Sequence, residues 1–93
     1  MNQQLALPGH DTERREQFGK IVAFVAAGFP SAVHIDAATI ATYYRMLDGV
    51  PIDIIKAVAE RILESEEFEH FPPCPRWLKM AHAIAAERAQ LQH

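Results

Sequence analysis

The chain has 93 residues, about half of them apolar and about a quarter charged, with a formal net charge of -3 when histidine is neutral. Such a length supports one hydrophobic core, because a domain of this size buries only about 60–70% of the surface its unfolded chain exposes, and the composition is that of a globular chain rather than a disordered or fibrous one. No region is dominated by Lys and Arg, which excludes the electrostatic footprint of an autonomous duplex-DNA binder, and the single cysteine excludes an intramolecular disulfide.

Residues 1–10 carry Gln, Pro and Gly without usable periodicity and are expected to form a flexible tail ahead of one helical domain over residues 11–93. The first residues lack a charged leader and a long apolar run, so the expected location is the cytoplasm (that of a host cell if the protein is phage-encoded). From Asp11 or Thr12, either a suitable N-cap, the residues Phe18, Ile21, Val22, Val25 and Phe29 recur at helical spacing. Gly28 and Pro30 supply a helix end, glycine by tolerating a left-handed conformation and proline by preventing continuation. The apolar run from Ile21 to Phe29 is far shorter than the ~20 residues of a membrane-spanning helix, so no membrane association is expected.

Asp36 starts a second helical pattern with Ala37, Ile40, Tyr43, Tyr44 and Leu47 on one side, closed by Asp48 and Gly49. A third opens at Pro51 or Asp53 and places Ile55, Val58, Ala59, Ile62 and Leu63 inside, with Lys56, Glu60, Arg61 and Glu64 outside. Lys56 and Glu60 are four apart, in the weaker of the two orientations for a helical ion pair. After a proline run, Trp77, Met80, Ala81, Ile84 and Leu91 share the stripe of a fourth helix, flanked by Leu78 and Ala85. No stretch alternates with the two-residue period of a half-buried strand, so the expected fold is all-α: a compact four-helix domain.

The segment FEHFPPCPRWLKMAHAI, residues 68–84, concentrates the unusual chemistry. If Pro75 is the first helical residue, Cys74 sits at the N-cap, where the positive helix end would lower its thiol pKa and make it a nucleophile or redox sensor. No histidine–acid pair or resolving cysteine accompanies it, and a free cysteine without such partners reads as a small apolar residue. His70 lies four residues before Cys74, but a zinc site needs about four ligands and Pro72 and Pro73 interrupt any helix that would align these two. Pro72 and Pro75 have the spacing of a polyproline II ligand, yet a proline immediately before a helix serves as its start. Phe68, Phe71 and Trp77 read as core, with interface anchors as the alternative.

No catalytic, cofactor or metal constellation is visible, so the chain is expected to be non-enzymatic and cofactor-free. The candidate partner-binding residues are the acidic run Glu64, Glu66, Glu67 and Glu69, with Arg76 and Lys79 nearby. Negative charge at a helix C-terminus opposes the helix dipole, which leaves solvation, proximity to Arg76 and the next helix start, or docking of a basic partner surface as explanations. Arg14, Arg15 and Lys20 on the first helix, with Arg76, Lys79 and His82 on the fourth, form modest basic spots suited at most to weak DNA contact.

The order of features over residues 42–81, TYYRMLDGVPIDIIKAVAERILESEEFEHFPPCPRWLKMA, resembles the small helical domain of phage replicative-helicase loaders and loader-inhibitors. The matching elements are the aromatic-x-x-Leu helix at Tyr44 and Leu47, the acidic turn at Asp48 and Gly49, the small and branched centre at Ala57 and Val58, and the Phe71-Pro72-Pro73 step. Cys74 departs from the hydroxyl-bearing cap common after the proline pair. The resemblance implies an adaptor that binds a replicative helicase and controls its loading or activity in phage or prophage DNA replication. The alternative is a small phage or bacterial protein-interaction module, a virion-assembly or host-takeover factor on the same scaffold.

Overall fold

The structure, a computed structural model, describes residues 3–29 and 35–91, with side chains described from Thr12 onward. It is all-α: helices α1 (Gln3–Ala27), α2 (Ala37–Met46), α3 (Ile52–Glu64) and α4 (Cys74–Leu91), with no strand among the described residues. α1 begins at Gln3, so Asp11 and Thr12 lie within it rather than at its start. The tail expected over residues 1–10 falls largely outside the described side chains, and the stop expected at Pro30 falls outside the described residues.

α3 packs against both α1 and α4, while α2 touches α1 and α4, so α1/α4 and α2/α3 form the diagonals. The core between them takes Phe18, Val22, Val25 and Phe29 from α1 and its end, Tyr44 and Leu47 from α2 and its end, Ile55, Val58 and Ile62 from α3, and Trp77, Ala81 and Ile84 from α4. α1 and α3 run in the same direction: Arg14 donates to the Val50 carbonyl before α3, Ile21 and Phe24 lie beside Lys56 and Ala59, and Gly28 meets Leu63.

The helix ends obey local chemistry. Asp36 is the N-cap of α2, its carboxylate accepting from the Thr39 amide at 2.8 Å, and those hydrogen bonds hold its pKa below the usual value. The Pro51 carbonyl accepts from Ile54 and Ile55 at 3.0 and 3.1 Å to start α3. Between these helices, Gly49 has a φ of 87°, the left-handed region that glycine enters without penalty.

Several expectations are corrected. Gly28 ends α1 without a positive φ; its value lies in closeness, since a Cβ there would stand 2.8 Å from Leu63 Cδ2. Leu63 is 37% exposed and Leu91 86% exposed, and Ala37 is exposed as well, whereas Ile54 joins the core. Pro73, not Cys74, caps α4: its carbonyl accepts from the Arg76 and Trp77 amides at 3.0 and 3.3 Å, so Cys74 is the first helical residue and Pro75 the second. Proline is tolerated there because the first-turn amides have no intrahelical acceptor. No helix among the described residues is long and apolar enough to cross a membrane.

Candidate functional site

The connection between α3 and α4 is organised by an aromatic cluster beneath it. The Phe71 ring lies 6.1 Å from Phe29, 6.0 Å from Tyr43 and 6.0 Å from Trp77, while Tyr43 and Trp77 meet edge to face at 6.3 Å. Rings at these separations gain from edge-to-face and tilted geometries beyond area burial alone. Pro72 is fully buried and its carbonyl accepts from the Tyr43 hydroxyl at 3.2 Å, tying the connection to α2. Trp77 is completely enclosed, and its indole N–H finds no acceptor among the described residues. Phe68 is partly buried beneath the Arg76 guanidinium, 5.0 Å from its ring centroid.

Cys74 is buried, and burial pushes its thiol pKa up, opposite to the activation that a helix N-terminus would supply. A thiol kept protonated is a weak nucleophile. His70 and Cys74 gain no third ligand: among the described residues no group of three or more His, Cys, Asp or Glu is arranged to hold a metal.

On this base the acidic run divides. Glu67 accepts from Arg76 at 2.9 Å, and its amide bonds the Ser65 hydroxyl at 3.2 Å, so Arg76 clamps the connection through both Glu67 and Phe68. Glu64, Glu66 and Glu69 are exposed and in no ion pair among the described residues; Glu64 nonetheless lies near enough to Arg61 to favour its charged form. Lys79, one turn after Arg76, is also exposed and in no ion pair among the described residues. The structure therefore joins Glu67 to Arg76 and leaves Glu64, Glu66, Glu69 and Lys79 facing solvent.

Sequence reasoning missed features built by the fold. Arg88 pairs with Asp53 at 2.7 Å and Arg61 with Glu87 at 3.1 Å, linking α3 to α4 across more than twenty residues of chain. Arg14 and Arg15 both stack on the Tyr44 ring, at 5.0 and 5.2 Å, which directs two of the expected phosphate-contacting cations onto the protein's own surface. Phe24 is 69% exposed and lines an open groove with Lys20, Ile21, Lys56, Ala59 and Glu60. Its signal was present in the sequence: Phe24 falls one residue before Val25 and so outside the Phe18, Val22, Val25, Phe29 stripe.

No family model matches this chain, and no curated protein or solved structure matches it.

Proposed function

We propose that this protein is a non-enzymatic adaptor that binds a replicative DNA helicase and controls its loading or activity in phage or prophage DNA replication. The observation that carries the reading is the acidic α3–α4 connection: three exposed carboxylates without an ion pair among the described residues, Glu64, Glu66 and Glu69, stand beside backbone anchored by Phe71, Pro72 and the Arg76 clamp. A preformed anionic ridge suits a basic partner surface, because complementary charge steers encounter and fixes register, and little ordering entropy is lost on docking. The resemblance of the order of features over residues 42–81 to phage helicase loaders and loader-inhibitors supports a helicase as that partner. The adaptor acts by binding one conformational state of the helicase better than another, which is how any ligand shifts an equilibrium.

The test is binding to a purified replicative helicase hexamer, with wild type compared with Glu64→Lys/Glu66→Lys/Glu69→Lys at low and high salt, followed by an ATPase and unwinding assay. Wild type is expected to bind in the micromolar range, to weaken as salt rises and to change helicase activity, and the variant to lose about ten-fold or more in affinity. Absence of binding by folded wild type overturns the helicase reading. Equal binding by the variant overturns the assignment of the contact to this connection.

A further inference from the structure

The groove between α1 and α3 is lined by none of the residues assigned to the proposed helicase contact. Ile21 and Ala59 line it together with Phe24, which at 69% exposure is the most exposed aromatic residue among the described residues. Because α1 and α3 run the same way, Lys20 and Lys56 lie together at one end, and Glu60 lies one turn further along beside Phe24. Lys56 and Glu60 do not close the four-apart pair expected from sequence, and Lys20, Lys56 and Glu60 are all without an ion pair among the described residues. Elsewhere Arg61, Arg76 and Arg88 each find a carboxylate of another part of the fold. The seam is thus apolar along its middle, basic at one end and acidic at the other.

A surface with that polarity is complementary to itself when turned end for end. We infer that a second copy of this chain docks on the α1–α3 seam about a two-fold axis, with each Phe24 seated over the partner copy's groove and each Lys20–Lys56 end facing the partner copy's Glu60. In a two-fold contact the same patch serves both subunits, so one basic end and one acidic end per copy form both charge contacts at once. Phe24, beside Glu60, supplies the aromatic anchor on which such interfaces concentrate their energy. An isolated basic or acidic end would repel itself in this arrangement; the alternation along the seam is what makes the second copy the fitting occupant.

The experiment is sedimentation equilibrium on the full chain over a wide concentration range. Wild type is expected to pass from monomer to dimer in the micromolar range. Phe24→Ala is expected to raise the dissociation constant about ten-fold or more with an unchanged melting curve of the monomer. Lys20→Glu/Lys56→Glu and Glu60→Lys are each expected to weaken self-association, and mixing these two variants to restore it as a heterodimer, because one seam is then wholly acidic and the other wholly basic. A wild type that stays monomeric at the highest concentrations overturns the inference. So does a dimer indifferent to Phe24, a charge mixture that fails to re-form, or Phe24 buried only when a different protein is present. None of these readouts involves a helicase, so their outcome is separate from that of the functional proposal.

Discussion

The proline step and the α1–α3 seam both present large aromatic residues next to charged ones, yet the chain closes one and leaves the other open. At the step, Trp77 is enclosed and Phe71 half-buried because four parts of the chain converge there: Phe29 from the end of α1, Tyr43 from α2, the buried Pro72 and the first turns of α4. At the seam only α1 and α3 meet, and nothing else among the described residues covers Phe24. An aromatic residue's fate is therefore set by how many elements reach it, which topology determines, and not by its own hydrophobicity.

The largest test of that contrast replaces one aromatic on each side. Trp77→Ala removes a fully buried ring and leaves a cavity, and is expected to destabilise the fold by about 3–5 kcal/mol. Phe24→Ala removes a ring that is mostly in water and is expected to stay within about 0.5 kcal/mol of wild type at monomer concentrations, as surface substitutions do. Chemical denaturation followed by circular dichroism measures both. Comparable losses would show that the seam is closed in solution by part of the monomer.

The sequence made the period of each helix legible and the width of its buried face illegible. Phe18, Val22, Val25 and Phe29 were recoverable because a helical stripe depends only on spacing, and the Asp36 cap because its hydrogen bond closes within three residues. Leu63 and Leu91 fall inside by spacing although they are exposed: Leu63 borders the seam that no third element among the described residues covers, and Leu91 ends α4. The one-residue shift of the α4 cap, from Cys74 to Pro73, has a similar origin, since proline fits several first-turn positions equally well. Within the candidate site, the acidic run was plain in the sequence and Arg76 was among its expected neighbours. Which glutamate it would hold depended on the turn geometry of residues 65–67, and the pairs Arg88–Asp53 and Arg61–Glu87 depended on helix crossing.

A smaller contrast comes from adding volume instead of removing it. Gly28→Ala places a Cβ 2.8 Å from Leu63 Cδ2, but that atom is the far end of a partly exposed side chain that can rotate toward the open seam. The variant also stiffens the unfolded chain, so a net change of less than about 1 kcal/mol is expected. Val58→Phe on the closed side enlarges a residue of the core cluster that has no exposed surface. Overpacking of this kind is expected to cost about 1–3 kcal/mol. Thermal melts of the pair measure the difference, and an equal loss at the two positions would mean that Leu63 is as confined as the core.

The smallest effect concerns the closed side's thiol. Burial raises the Cys74 pKa above its ordinary 9.0, so the folded state favours the neutral thiol more than the unfolded state does. With a raised folded pKa, the contribution is fully present below the unfolded value and is lost as pH rises from there through the folded value. The stability gap between wild type and Cys74→Ala is therefore expected to be level up to about pH 8 and to shift against wild type above about pH 9. Tyr43, whose pKa burial also raises, is present in both proteins and contributes alike to each, apart from its influence from Cys74 itself. A Cys introduced at the seam as Phe24→Cys in a Cys74→Ser background supplies the open counterpart: it is expected to alkylate at the pace of a solvent-exposed thiol, while Cys74 in folded wild type reacts much more slowly. Equal alkylation rates would mean that the proline step opens on the timescale of the reaction, and the division between a closed and an open side would then hold only for the average structure.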